Sequence, residues 1–439
     1  MESWMHRNTA VIDPRQPRYA PILPVEIWEK IFAFATHIPG CFEVDDDYAA
    51  IAAFTRDRHG ICLSNRYREA MQAKLAFCLV CKYWSRVAQP IIFEHLRIRA
   101  GEDASLIADT LKRLSPQKDC REGPGRWTIR IDLVLEGVHA WLPEHTIAMS
   151  RIFKHCPNLA SFSSAFSTDE PWTYELPKIL RRLSQNSRLT RLEVKADHCI
   201  LPIIEETLGN RLEILWLVPC RCLLSLDRLK TRIVLPNIRA LIATAGCETY
   251  ISRIELPSLR ACILGLATMG FPLINRSLVQ YCSISNSWGV FANLNDWPSL
   301  TTLSVNIGEL ANLKTSWERH IRHEHLECIM IENIDHMRRQ MLMMKLDACT
   351  ELLMQLDEML TSLLSPYNFP HLKCVKIFLS VQGRSNTAPI LLEEEESLWY
   401  TWLNACNDRG VRIEVSGGAM EWTGDEWTDY SPDEVFDML

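Results

Sequence analysis

No stretch of the 439 residues is long and apolar enough to span a bilayer. The apolar uncharged run Ala261 to Asn275 falls short of the roughly 20 residues a spanning helix needs, and it contains Pro272. The opening residues, Met1 to Arg7, lack the apolar core of a secretory signal, so the expected compartment is cytoplasm, nucleus or both. There the 16 cysteines are expected to stay reduced. They lie among apolar neighbours, where a free thiol behaves as a small core residue.

An excess of basic charge is also missing. Lys and Arg number 47 against 54 Asp and Glu, a net charge of -7. The last 22 residues, Gly418 to Leu439, hold seven acids and no Lys or Arg, so the body is near neutral. A nucleic-acid surface needs a clustered basic excess, and none is expected here. The acidic tail interleaves Trp422, Trp427, Tyr430 and Phe436 with its charges. It reads either as a solvated, disordered end or as a docking peptide or flap that folds back.

Familiar catalytic patterns are absent: no P-loop, no G-x-G-x-x-G after a strand, no H-E-x-x-H and no G-x-S-x-G. Gly123-Pro124-Gly125 is a turn, and Asp45-Asp46-Asp47 reads as solvated acids at a helix start. Cys78-x-x-Cys81 has no second pair at ligand spacing, so it reads as structural and not as zinc. His320, His323, His325 and Cys328 place four possible ligands within nine residues. Arg319 and Arg322 sit among them, and a helix-to-strand change would scatter the side chains, so no metal and no cofactor is expected.

What the chain does have is repetition. A pattern L-x-x-L-x-L, with other apolar residues substituting, recurs after residue 150. It runs through Leu159-Phe162, Leu189-Leu192-Val194, Leu212-Leu215-Leu217, Ile238-Leu241-Ala243 and Leu259-Cys262-Leu264. It continues through Val279-Cys282-Ile284, Leu300-Leu303-Val305, Leu326-Ile329-Ile331 and Leu372-Val375-Ile377. Steps run from 20 to 30 residues, with one of 46 that holds a helix from about Met341 to Leu364. Five units enter through proline, at Pro157, Pro236, Pro257, Pro298 and Pro370. Ile129 to Leu133 reads as a first strand and Val411 to Val415 as a last one. Each unit offers a short strand that cannot bury its apolar face alone, so stacking must build a continuous core. The pattern resembles irregular leucine-rich repeats, which implies a solenoid with a curved parallel sheet. The exposed face would then display the residue between the inward pair: Ser163, Glu193, Trp216, Ile242, Ile263, Ser283, Ser304, Met330 and Lys376. Trp216, Ile242, Ile263 and Met330 are large and apolar, and are the target-binding candidates. The same four side chains would also suit packing under loops.

Ahead of the repeats lie two helical segments. The first, Leu23 to Thr36, opens with Pro24, which suits a first turn because its missing N–H costs nothing there. Ile27, Ile31 and Ala35 fall on one face, with Trp28 and Phe32 beside them. The second, Leu79 to Ala88, carries a stripe of Val80, Trp84, Val87 and Ala88. Between them, His37 to Ala76 has Asp46 or Asp47 to cap a short helix over Tyr48 to Phe54. Ser64 would cap a longer one running into Lys82. On periodicity alone these are ordinary amphipathic helices. The combination of Leu23-Pro24, Glu26-Ile27-Trp28 and Ile31-Phe32 with Leu79-Val80-Cys81-Lys82 and Trp84 resembles an F-box, in the long-insert form of mushroom-forming fungi.

The expected fold class is therefore α+β: a small all-α F-box followed by an α/β leucine-rich-repeat-like solenoid. The divisions are a flexible segment 1–20, a helical domain 21–100 with an insert at about 38–75, repeats over 101–417 and an acidic tail 418–439. The resemblance implies a non-enzymatic substrate adaptor of a Skp–cullin–F-box ubiquitin ligase, working by proximity. Its partners would be the Skp-type adaptor with its cullin complex and an unknown protein target, with no nucleic acid and no membrane. The residues matched to adaptor contact are Leu23, Pro24, Ile27, Ile31, Val80, Cys81 and Trp84. The alternative is a protein-interaction scaffold outside any ligase.

Overall fold

The structure, a computed structural model, describes residues 23–38, 40–42, 48, 51, 54, 61–115, 122–135, 141–165, 170–186, 188–197, 199–219, 232–244, 246–265, 273–274, 276–284, 294–307, 322–332, 334, 337, 341, 346–379, 393–417 and 428–429. Three helices come first: α1 (Val25–Thr36), α2 (Ile61–Val80) and α3 (Lys82–Glu94). Helix α1 starts on the carbonyl of Pro24, which accepts from Ile27 N and Trp28 N, so Pro24 is the cap residue and not part of the first turn. Helices α2 and α3 are broken at Cys81, whose extended backbone stops one helix and whose sulfur accepts from Trp84 N at 3.4 Å to start the next. The expected helix from Ser64 into Lys82 thus begins at Ile61 and ends at Val80, and the expected stripe is split between two elements.

The strands that follow are β1 (His95–Ile98), β2 (Arg130–Leu133), β3 (Ser161–Ser163), β4 (Arg191–Ala196), β5 (Ile214–Pro219), β6 (Ile233–Val234), β7 (Ala240–Ala243) and β8 (Ile254–Leu256). Then come β9 (Ala261–Leu264), β10 (Leu273–Ile274), β11 (Tyr281–Ile284), β12 (Thr302–Asn306), β13 (Cys328–Glu332), β14 (Cys374–Leu379), β15 (Arg412–Gly417) and β16 (Thr428–Asp429). Among the described residues thirteen of them form one sheet, laid down in chain order, and β6, β8 and β10 form a small parallel second sheet. Every neighbour in the large sheet is parallel except β15 and β16. Strand β1 follows α3 without a connecting residue, and sequence patterning placed the first strand one element later.

Because side chains alternate across a strand, the pairing sorts the sheet into two faces. On one face Leu96, Ile131, Phe162, Leu192, Leu215 and Leu241 stand in register, followed by Cys262, Cys282, Leu303, Ile329, Val375 and Ile413. This row is buried against the connecting segments, among them the helices Pro143–His155, Glu170–Leu183, Ile200–Leu208 and Leu346–Leu364, and it forms the main core. Truncating one such leucine to alanine costs about 2–5 kcal/mol. The recurring proline has a local explanation. Strands β6 and β8 end just before Leu235-Pro236 and Pro257, where the chain turns from the small sheet into β7 and β9. A residue without an N–H is at no disadvantage there.

Mixed helix and strand around a large parallel sheet is thus the architecture. Among the described residues no helix is long and apolar enough to cross a membrane.

Candidate functional site

The three N-terminal helices bury a core of their own. Phe32, Val87, Ala88 and Ile91 are enclosed, with Trp28, Phe77, Cys78 and Trp84 packed against them. Phe32 stacks on Phe77 at 4.3 Å, and Trp28 lies 4.5 Å from Trp84. With that core filled, apolar side chains remain outside. Ile27 and Ile31 are 40% and 41% exposed, and Leu23, Val25 and Phe34 are exposed on the same segment. Helix α2 adds Leu75, Leu79 and Val80, with Leu79 at 85%, and Tyr83 follows at the start of α3.

Of the matched adaptor residues, Leu23, Pro24, Ile27, Ile31, Val80 and Cys81 face solvent. Trp84 is half-buried and serves mainly the module's interior. Sequence reasoning passed over Val25, Phe34, Leu75, Leu79 and Tyr83. Phe34 was within reach, because it lies three residues after Ile31 and seven after Ile27, on their stripe. Leu79 stood in the matched segment, but the break at Cys81 that exposes it has no signature at residue-type level.

The described residues of the insert pack elsewhere. Ile38, Cys41, Tyr48, Ile51 and Phe54 pack with Ala70 on the second face of the large sheet. That face carries an unbroken row in register: Arg97, Asp132, Ser163, Glu193, Trp216, Ile242, Ile263, Ser283, Ser304, Met330, Lys376 and Glu414. The nine residues read from the repeats as the displayed set are all in it. Yet Trp216, Ile242, Ile263 and Met330, expected to meet a target, are sealed, with Trp216 at 0% exposure. The chain's own insert takes the position expected for a partner. Tyr48, Ile51 and Phe54 are helical, at spacings of three that put their rings and branches on one side. The proposed caps Asp46 and Asp47 lie outside the described residues.

Polar bonds fix one end of the insert. Arg130 Nη1 donates to Cys41 O at 3.1 Å and Arg191 Nη1 to Gly40 O at 2.6 Å. The ring of Phe54 lies 5.1 and 5.3 Å from the two guanidinium carbons. Gly40 has φ +73°, which only glycine adopts cheaply, so the turn presents its carbonyl to Arg191. The arginines also hold Asp132 and Glu193. Arg130 Nε meets Asp132 at 2.8 Å, its Nη2 meets Glu193 at 2.8 Å, and Arg191 Nε meets Glu193 at 2.9 Å. Burial lowers the pKa of Arg130, but the carboxylates of Asp132 and Glu193 outweigh it and hold the group above its usual value. Two cations thus face two anions in a dry site.

Beside them Cys41 Sγ lies 3.9 Å from His95 Nδ1, and His95 Nε2 lies 3.1 Å from Asp132. The order thiol, imidazole, carboxylate is that of a nucleophile with its base and orienting acid. All three groups are buried, and burial pushes the His95 pKa down, so the line has no substrate face. Tyr67, whose ring is 5.0 Å from His95, is pushed up to about 12 by burial first and the Asp132 charge second.

The remaining sequence candidates separate. His323 Nε2 lies 2.8 Å from the Trp297 carbonyl and its Nδ1 accepts from His325 N at 3.3 Å, and His320 lies outside the described residues. Cys78 is in α2 and Cys81 at the break that follows. Among the described residues no group of three or more His, Cys, Asp or Glu is placed to hold a metal ion. Trp422, Trp427, Tyr430 and Phe436 of the tail, and segment 1–20, lie outside the described residues. Thr428 and Asp429 pair with Val415 and Glu414, so this part of the tail folds back onto the sheet edge. No model of a known protein family matches the chain, and no curated protein matches it.

Proposed function

We propose that the chain is a substrate-recognition adaptor of a Skp–cullin–F-box ubiquitin ligase, with α1–α3 as the F-box and the sheet unit as an irregular leucine-rich-repeat solenoid. The observation that carries this reading is the exposed row of Ile27, Ile31 and Phe34 on a helix whose other side already fills a complete core. Apolar groups left outside a satisfied core are a surface for another polypeptide. The described residues of the insert pack on the sheet instead of on that row. Because it also covers Trp216, Ile242, Ile263 and Met330, target capture falls to surfaces beyond that patch. A stable adaptor contact would bury roughly 1,600 Å² in total.

The test is co-expression of the full chain with a Skp-type adaptor, scored by sizing. A stable complex is expected with the wild type, and its loss with I27D/I31D. Absence of a complex with folded wild type would favour the scaffold outside any ligase.

A further inference from the structure

Two cysteine pairs stand side by side in the large sheet, one on each face. Cys262 and Cys282 are direct partners on β9 and β11, and Cys328 and Cys374 are direct partners on β13 and β14. Their surroundings differ. The first pair belongs to the main core, is sealed, and burial pushes both thiols up, Cys282 to about 12. The second lies on the opposite face, at the border of the insert's contact, with Cys374 buried at 6% exposure and Cys328 beside it partly open to solvent. Arg412 is the in-register neighbour of Cys374 on β15, and Lys376 stands two residues along the same strand face. Both cations also reach Glu414.

We propose that Cys328 and Cys374 form an oxidation-sensitive dithiol that a small peroxide converts to a reversible intramolecular disulfide. The opposed strands bring the two α-carbons to roughly 4.8 Å, inside the range that disulfides span. The β-carbons of such partners are about as far apart, wider than the mean of ~3.8 Å, so closure strains the bond and keeps it easy to reduce. The two thiols are cross-strand neighbours, and their interaction lowers the Cys374 pKa while raising that of Cys328. Lys376 and Arg412 add to the lowering against burial and Glu414. One sulfur is therefore the nucleophile and the other the resolving thiol.

The electrons balance as follows. The Cys374 thiolate attacks one peroxide oxygen, the O–O bond breaks, and hydroxide leaves, giving a sulfenic acid. The Cys328 sulfur attacks that sulfur, the S–S bond forms, the S–O bond breaks, and the departing oxygen leaves as water with the Cys328 proton. The two cysteines lose two electrons and the peroxide gains them. A dithiol reductant reverses the change by exchange.

The experiment treats the full chain with hydrogen peroxide, alkylates it under denaturing conditions and maps the peptides without reduction. The expected result is a Cys328–Cys374 cross-linked peptide about tenfold more abundant than Cys262–Cys282, as thiolate character dictates, and lost on addition of dithiothreitol. Phenylarsine oxide should bind wild type with one equivalent more than C374S of unchanged circular dichroism. Full alkylation of both Cys328 and Cys374 after peroxide, or preferential closure of Cys262–Cys282, would overturn the proposal. Should C374S fail to fold, the wild-type peptide map alone decides.

Discussion

The most consequential single residue of the second sheet face is Arg130. Its guanidinium contacts Asp132, Glu193, Ser161 and the Cys41 carbonyl with no solvent exposure. Replacing it by methionine roughly keeps the volume and takes the Arg130 cation from two buried carboxylates, leaving Asp132 with His95 and Glu193 with Arg191. R130M should therefore lose about 3–5 kcal/mol, read from urea denaturation. A loss within surface-substitution size, about 0.5 kcal/mol, would mean that the carboxylates find water. His95, close by, gives a pH signature. It faces Asp132, Arg130, Lys74, Tyr67 and Cys41, and burial holds its pKa below the unfolded value. The unfolded chain then binds the proton that the folded chain refuses, so stability is lost as pH falls below about 6.5. His323, lowered by burial in the same direction, adds to the slope. H95Q should flatten the drop in denaturation midpoint between about pH 7.5 and about pH 5.5. An unchanged slope would show that His95 titrates normally.

At the scale of elements, α1 has two faces with opposite expectations. I27D and I31D change exposed side chains and should move stability by about 0.5 kcal/mol or less. F32A empties the centre of the helical core and should cost about 3–5 kcal/mol. Thermal melts of the three variants separate the faces, and a large loss from I27D would assign Ile27 to the interior. The strands were legible at this scale because a period of two within a longer repeat fixes both faces at once. The displayed row from Ser163 to Lys376 matches the observed register strand by strand. Its burial was one of two readings the pattern allowed, and what covers it was not legible. Tyr48, Ile51 and Phe54 form a three-residue side that carries no mark of where it docks, and Arg130 and Arg191 look in sequence like surface charges on strands. The break at Cys81 was hidden too, since it depends on one sulfur accepting a backbone hydrogen bond. Strand β1 escaped because four residues directly after a helix are too short to establish a period.

For the molecule as a whole, the far edge of the sheet is a point of risk. Strand β15 would present open N–H and C=O groups if Thr428 and Asp429 did not pair with it. Truncation after Gly417 should leave the fold intact and increase self-association, measured by light scattering at rising concentration. Unchanged scattering would assign no protective part to that pairing. At the near edge the helices pass directly into β1, and Thr128 Oγ1 donates to Phe93 O while Ile129 N donates to Glu94 O. Together with the described insert residues packed on the sheet, these bonds tie the helices to the strands, so the exposed row of α1 keeps a set orientation to the sheet.

The contact of Tyr48 with Tyr281, ring centroids 6.3 Å apart, has a consequence for synthesis. Tyr48 leaves the ribosome more than two hundred residues before the strand it rests on. At roughly 5–20 residues per second, that interval is on the order of tens of seconds. During it the greasy side of the insert and each new strand wait uncovered, which makes the nascent chain a natural client for holding chaperones.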